Sequence, residues 1–332
     1  MKTFIKYPGG KSKELPLVEK YLPKNVDRYF EPFVGGGAVY FGLEIKNSYI
    51  NDFSKDLINL YLKLQKSDKK LLKVLNDFNK LWEKTGASKL GETDFPEYMD
   101  YGKYLKFFKS ANDKKTRTLN KFASNGVDIS SEDKEKIKIT ANKTSIYMLI
   151  RDLYNNITDE TLRLAAYYFM REYCYSSMFR FSKTGAFNVP YGGMSYNDKT
   201  LSEKVKYMFS PKFNELLLTT VIHNSDFEQF LKQYSFKETD FIFLDPPYDS
   251  DFSTYDQNSF DKKEQIRLKN AVASLKAKWM LIIKKTDFIS ELYKDFFVYE
   301  YDKNYTVSFK NRNEKGVKHL LITNYDINEV NG

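Results

Sequence analysis

Short apolar runs interrupt an otherwise polar chain, and the sharpest is Phe241–Leu244, four large apolar residues between Asp240 and the pair Pro246-Pro247. Such a run predicts a strand buried on both faces of a parallel sheet, although four residues alone fit a buried turn of helix equally well. The prolines end it, because they lack N–H donors and fix φ. Similar runs at Tyr49–Asn51, Thr219–Ile222 and Trp279–Ile283 predict further strands. Arg28 to Phe41 reads as a strand, a glycine-rich turn at 35–37 and a helix. Helical spacing then returns in Leu57, Leu60, Tyr61 and Leu64, and earlier in Leu15–Leu22, which Pro23 closes. Asp261 and Glu264 predict a capping box for a helix carrying Leu268, Val272 and Leu275. Phe296–Phe309 and Val317–Tyr325 flank Lys310–Gly316 and predict a hairpin that closes the sheet. Between these parts, Lys66 to Phe179 is helical and polar, with an exposed loop predicted over Ser124–Glu132. Strands alternating with helices give an α/β fold, with a mainly helical segment in its middle.

Composition narrows the class. The 332 residues suffice for one large domain or two modest ones. A net charge of +9 and a pI near 9.1 favour an anionic partner. Between Lys103 and Arg151 there are 12 Lys+Arg against 5 Asp+Glu, so the excess sits mostly in the helical segment. A phosphate-tracking surface requires such a concentration, and a merely solvated face also produces one. The single cysteine, Cys174, excludes an internal disulfide and suits a reducing compartment. His223 and His319 are the only histidines and no cysteine cluster joins them, so no metal is expected. The start MKTFIKYPGGK lacks the apolar run of a signal peptide, and no membrane-length apolar segment follows. The expectation is a soluble cytoplasmic protein with no membrane partner, monomeric by default.

Three stretches carry candidate chemistry. Asp245-Pro246-Pro247-Tyr248 follows a predicted strand, and in open α/β sheets ligands bind at the carboxyl ends of strands. A carboxylate and a proline carbonyl can each accept one hydrogen bond from an exocyclic nucleobase amine, drawing its nitrogen toward a tetrahedral shape and freeing the lone pair. The carboxylate also stabilises the positive charge that develops on that nitrogen. Tyr248 offers a face for stacking; the plain alternative is a strand followed by a turn. The second stretch is Phe33-x-Gly35-Gly36-Gly37, followed 17 positions after Gly35 by Asp52. Strand, glycine turn, helix, strand and acid form a nucleotide-binding βαβ unit, the plain alternative being a glycine entry to a helix. Its spacing lacks the G-x-G-x-x-G pattern, which favours a smaller adenosyl ligand over a dinucleotide. The third is Lys6-Tyr7-Pro8-Gly9-Gly10-Lys11, in isolation a plain N-terminal turn and in company a loop able to bring backbone close to a ligand.

Taken in order, Tyr-Pro-Gly-Gly-Lys, Glu31-Pro-Phe-Val-Gly-Gly-Gly, an acid after the second strand, a basic helical insert and Asp-Pro-Pro-Tyr resemble the Dam-type DNA adenine-N6 methyltransferases, the alpha-ordered D12 class. Phe187 to Gly192 and Phe252 to Phe260 add to the resemblance, which covers roughly 1–65 and 165–326 and is weak through much of 85–160. It implies a Rossmann-like S-adenosylmethionine-dependent methyltransferase sheet, mixed by its C-terminal antiparallel hairpin, formed by 1–65 and 205–332. A helical target-recognition lobe with a hairpin loop would occupy 66–204. Residues implied at the methyl donor are Tyr7, Lys11, Glu31, Phe33, Gly35, Gly36, Gly37, Asp52, Asp226 and Phe227. Asp245, Pro246, Pro247 and Tyr248 would hold the target base. Double-stranded DNA would meet Lys6, Tyr175, Arg180, Asn188 and Pro190, with Tyr255, Asn258, Ser259 and Phe260 in a loop over the base.

The implied reaction is methyl transfer from S-adenosylmethionine to N6 of a flipped adenine, with GATC the leading recognition sequence. Departures from the family pattern bear on that sequence: Ser176 follows the inserting tyrosine, Phe181-Ser182 follows Arg180, and Glu172 stands where relatives carry a phosphate-contacting arginine. Lys284-Lys285-Thr286-Asp287 replaces the usual Ser-Asn-x-Asp. The rivals are cytosine-N4 methylation, an RNA substrate, and a catalytically inactive DNA-binding relative.

Overall fold

A computed structural model describes residues 1–247, 260–303 and 317–330. In chain order its elements are α1 (Leu15–Tyr21), β1 (Arg28–Glu31), α2 (Ala38–Leu43), β2 (Ser48–Asn51), α3 (Lys55–Gln65) and α4 (Lys69–Lys84). There follow α5 (Tyr101–Ser124), α6 (Ser131–Asn156), α7 (Glu160–Tyr173), α8 (Ser202–Met208) and α9 (Pro211–Leu218). The chain continues with β3 (Thr220–His223), α10 (Phe227–Lys232), β4 (Asp240–Leu244), α11 (Lys262–Ala273), β5 (Lys278–Lys284), α12 (Asp287–Leu292), β6 (Phe297–Lys303), β7 (Val317–Thr323) and α13 (Ile327–Val330). They gather into two compact units: Met1–Thr3, Gly9–Leu62 and Glu215–Gly332 in one, Phe4–Pro8 and Lys63–Asn214 in the other.

The first unit is built on a seven-stranded sheet of order β3-β2-β1-β4-β5-β7-β6. The pairs β2–β3, β1–β2, β1–β4 and β4–β5 are parallel, while β7 runs antiparallel to both β5 and β6. The four-residue run read as a strand is the middle of β4, and all five residues of β4 are buried, as a central parallel strand covered on both faces requires. Its register against β1 is fixed where both strands begin: Arg28 grips Asp240 through Nε–Oδ1 at 2.8 Å and Nη2–Oδ2 at 2.6 Å, with Asp240 almost fully buried. Phe30 then lies beside Ile242, and Leu244 beside Leu281. The core on this sheet includes Phe30, Phe230, Leu244, Leu268, Trp279 and Ile322. The connections from β1 and β4 lead toward opposite edges, so the sheet reverses between them. That junction is the position at which doubly wound sheets open a ligand crevice.

The second unit is helical. Asp68, Asp100, Ser130 and Asp159 each accept a backbone N–H in the first turn of α4, α5, α6 and α7. Trp82 on α4 packs against Phe169 and Tyr173 of α7 and against Tyr191, and donates its indole N–H to the Lys199 carbonyl at 2.9 Å. The segment Phe4–Pro8 packs within this unit, its Phe4 carbonyl accepting from the buried Tyr168 hydroxyl. Residues 174–200 are irregular and carry two antiparallel bridges, Cys174 to Tyr191 and Phe181 to Phe187.

Two local expectations are corrected. The loop read over Ser124–Glu132 spans only 125–130, because α5 continues through Ser124 and Ser130 caps α6 by accepting from Asp133 N at 3.0 Å. The capping box at Asp261 forms by half: Asp261 accepts from Lys263 N and Glu264 N, but the Glu264 carboxylate goes to Arg267. Among the described residues no helix is long and apolar enough to cross a membrane.

Candidate active site

In the sheet unit, the candidate residues collect where β1 and β4 end. Asp245 directly follows β4 and is partly exposed. Its Oδ1 is ion-paired with the Nζ of Lys11, a side chain only 1% exposed that also donates to the Gly9 carbonyl at 3.0 Å. Pro246 is buried; the Pro247 carbonyl accepts from Gln265 Nε2 at 3.1 Å, so α11 holds the proline turn in place. Among the described residues no donor reaches the Pro246 carbonyl.

Glu31 ends β1 and is buried, its Oε2 accepting from the Tyr29 hydroxyl at 2.7 Å. Burial drives its carboxyl pKa well above the ordinary range, Asp245 pushes it further, and the hydrogen bond from Tyr29 and the Lys11 charge offset only part of this. The corner therefore sets a carboxyl that burial biases toward its protonated form beside one carboxylate–ammonium pair.

The glycine turn after Phe33 is latched by the acid read from the sequence. Asp52 Oδ2 accepts the Gly35 N–H and Oδ1 the Ser54 N–H, both at 2.9 Å, and Tyr61 donates to the Gly35 carbonyl at 3.1 Å. Gly36 is buried. Gly37 has φ +72°, and a Cβ there would stand 2.6 Å from the Tyr61 hydroxyl and 2.7 Å from the Phe41 ring. Only glycine satisfies both the left-handed backbone and that approach.

A second wall is aromatic. Phe33, Phe227 and Phe260 are mutual neighbours, with ring centroids 5.4 to 5.8 Å apart. Phe260, read as part of the loop over the target base, thus packs on the two rings assigned to the donor. The Arg267 guanidinium lies 4.3 Å from the Phe227 ring centroid and pairs with both oxygens of Asp226, at 2.6 and 3.1 Å. Burial disfavours the Arg267 charge, but its bonds to Asp226 and Glu264 outweigh that and raise its pKa. Asp226 also caps α10, accepting from Glu228 N at 3.0 Å.

Sequence reasoning missed three residues of this unit. Gln265 and Arg267 are two. The third, Asn51, donates to the Pro32 and Ser225 carbonyls and accepts from Ser225 N, tying together the ends of β1, β2 and β3. Only a long-range contact reveals their roles, so no local signal marked them. Tyr248, Tyr255, Asn258 and Ser259 lie outside the described residues. Among those described, no group of three or more His, Cys, Asp or Glu is arranged to hold a metal ion.

In the helical unit, four expected DNA contacts come together. Tyr175 N donates to the Pro190 carbonyl at 2.9 Å, and Arg180 Nε to Asn188 Oδ1 at 3.3 Å. Along 187–191 side chains alternate: Phe187, Val189 and Tyr191 are buried while Asn188 and Pro190 are exposed, as in a strand with one anchored face. The anchors stand on one face of α6 at four-residue intervals. Tyr147 donates to the Val189 carbonyl at 2.8 Å, Arg151 Nη1 reaches the same carbonyl at 3.3 Å, and Asn155 exchanges two bonds with Phe187. Tyr7 stacks on the buried Arg171, its ring centroid 4.5 Å from the guanidinium.

Lys6 lies in this unit too, its N–H donating to Glu172 Oε1 at 3.0 Å and its ammonium 5.2 Å from the Tyr196 ring centroid. Glu172 is fully buried and paired with Lys199 and Lys204. Burial alone would raise its pKa, but the two ammonium groups prevail and lower it. Its place at a position read as phosphate-contacting in relatives is thereby explained: the carboxylate points inward and secures the Lys6 segment.

Comparison with known proteins identifies the family. The family model described as D12 class N6 adenine-specific DNA methyltransferase matches residues 7–90 and 138–307. The type II methyltransferase M.MjaIII of Methanocaldococcus jannaschii is 31% identical over 98% of this chain and 99% of its own length. The type II methyltransferase M.CviBI of Paramecium bursaria Chlorella virus NC1A is 28% identical over 98% of this chain and all of its own. A DNA adenine methylase of Vibrio cholerae is 25% identical over 80% of this chain and 74% of its own. With the family match spanning six of the seven strands and most of the helical segment, the chain belongs to the D12 class of N6 adenine-specific DNA methyltransferases.

Proposed function

We propose that this enzyme transfers a methyl group from S-adenosylmethionine to N6 of an adenine flipped out of duplex DNA, with GATC as its site. One observation carries the reading: a carboxylate, Asp245, stands at the end of β4 beside the glycine turn that follows β1, at the sheet's reversal point.

The residues on the donor side fit an adenosyl sulfonium. The Gly35–Gly37 turn follows the end of β1, and its left-handed Gly37 lets the backbone pass closely between Tyr61 and Phe41. Phe33, Phe227 and Phe260 offer apolar ring surface, and the Asp52 carboxylate supplies an acceptor for polar groups of the ligand. When bound, S-adenosylmethionine supplies an electrophilic methyl group on a cationic sulfur.

The chain's own residues prepare the nucleophile. Asp245 accepts one N–H of the adenine amine and the Pro246 carbonyl accepts the other, so the nitrogen lone pair leaves conjugation with the ring. Lys11 fixes the carboxylate through Oδ1. Gln265 holds the Pro247 carbonyl and with it the turn that aims Pro246. Charge developing on the nitrogen is met by a preorganised carboxylate rather than by reorienting water. Flipping costs a few kcal/mol, offset by stacking and these two hydrogen bonds.

Arg180, Asn188, Pro190, Tyr175 and Lys6 are the proposed readers and wedge of the DNA site, a monomer acting on one duplex. Methylation-sensitive sequencing of DNA from cells expressing the gene tests base and site together. N6-methyladenine confined to GATC is expected; methylcytosine, or no new methylation, would contradict the proposal.

A further inference from the structure

We infer that the outward face of α5 is a second DNA-contacting surface, which tracks the phosphate backbone beside the bases the enzyme reads. The inference rests on duplex DNA being the substrate. It concerns a part of the chain that the family model leaves unmatched: residues 91–137 lie between its two matched segments, and α5 lies within them.

α5 carries seven basic residues against one acid, Asp113. At 3.6 residues per turn, Lys106, Lys114, Arg117 and Lys121 fall within an arc of about 80°, with Lys109 about 60° further round and Asp113 between it and Lys106. Tyr104, Phe108, Ala111 and Leu119 point the other way, where Asn112 donates to Asn142 of α6 at 3.3 Å. All five cations are exposed. Lys106 to Lys121 spans about 22 Å of helix, the axial length of six or seven base pairs, with a phosphate about every 3.4 Å along each strand.

A solvated face is the competing explanation, and the salt dependence of DNA binding separates the two. Elsewhere in the helical unit some exposed lysines meet no acid, Lys69, Lys80 and Lys138 among those described, and others do: Lys73 with Asp77 at 2.7 Å, Lys136 with Glu132 at 2.6 Å, Lys103 with Asp152 at 2.7 Å. Among the described residues none of the five stripe cations does. Lys114, Arg117 and Lys121 repel one another at i,i+3 and i,i+4, which weakens a helix unless an anion lies against it. A polyanion with regularly spaced charges satisfies all five at once.

The test uses the full chain and a variant with Lys106, Lys109, Lys114, Arg117 and Lys121 all changed to Gln, a residue that keeps helix propensity. Fluorescence anisotropy is read on duplexes of about 14 and about 30 base pairs centred on the methylation site, across a salt series. The unaltered enzyme should bind the longer duplex about tenfold more tightly, and the variant should lose that gain together with roughly four to five units of the slope of log affinity against log salt. A second variant, with the four lysines changed to Arg, should keep both, and equal melting temperatures exclude misfolding as the cause. A Gln variant that retains the length gain and the slope would overturn the inference. So would an unaltered enzyme indifferent to duplex length, whereas one that binds neither duplex would overturn the DNA reading beneath it as well.

Discussion

Lys11 and Asp245, 234 positions apart in sequence, form an ion pair in which the lysine is 1% and the aspartate 19% exposed. The pair joins the glycine loop near the amino terminus to the end of β4. Two charges so placed are costly to separate, because removing one strands the other away from water.

That relationship makes Asp245→Asn a stability variant as well as an inactive one. Losing the carboxylate should cost about 2–4 kcal/mol. The double variant Lys11→Met/Asp245→Asn should regain at least half of that cost and remain inactive. Urea unfolding of the two single variants and the double measures the coupling. Strictly additive losses would show that the pair contributes nothing.

Glu31 predicts a pH dependence with a definite sign. Its folded-state pKa is raised well above the ordinary 4.5 by burial, so the folded protein keeps a proton that the unfolded chain releases. The stability tied to that proton is complete below 4.5 and is lost as pH climbs toward the folded pKa. Glu31→Gln has no such proton, so its stability relative to the unaltered protein should improve with pH, by up to about 1.4 kcal/mol per unit. Unfolding curves at pH 5 to 8 check this; parallel pH trends would contradict it.

Gly37→Ala should destabilise the sheet unit by about 1–3 kcal/mol, through backbone strain at φ +72° and the clash with Tyr61 and Phe41. It should also weaken S-adenosylmethionine binding tenfold or more in calorimetry, while duplex affinity measured by anisotropy stays within a few-fold. Unchanged donor affinity would move the methyl-donor site away from this turn.

Much of this organisation is legible in the sequence because buried parallel strands read as unbroken apolar runs. β4 and β5 stand out for that reason, and the glycine turn with Asp52 stands out because its spacing is local. What stayed hidden depends on distant partners. Nothing near Lys11 announces Asp245, nothing near Asp226 announces Arg267, and Gln265 looks like any polar helix residue until its contact with Pro247 is seen. Tyr147, Arg151 and Asn155 form a periodic stripe on α6, but its meaning comes from the loop it holds. Glu172 was legible only as an anomaly, and its burial beneath Lys199 and Lys204 resolves it.

The most direct test of the chemistry at the end of β4 is the single-turnover rate of N6-methyladenine formation by Asp245→Ala, with the methylated nucleoside identified by mass spectrometry and duplex affinity measured in parallel. A fall of about a thousandfold or more, with affinity within a few-fold of the unaltered enzyme, is the predicted result. A rate within tenfold of normal would mean that some other group activates the amine.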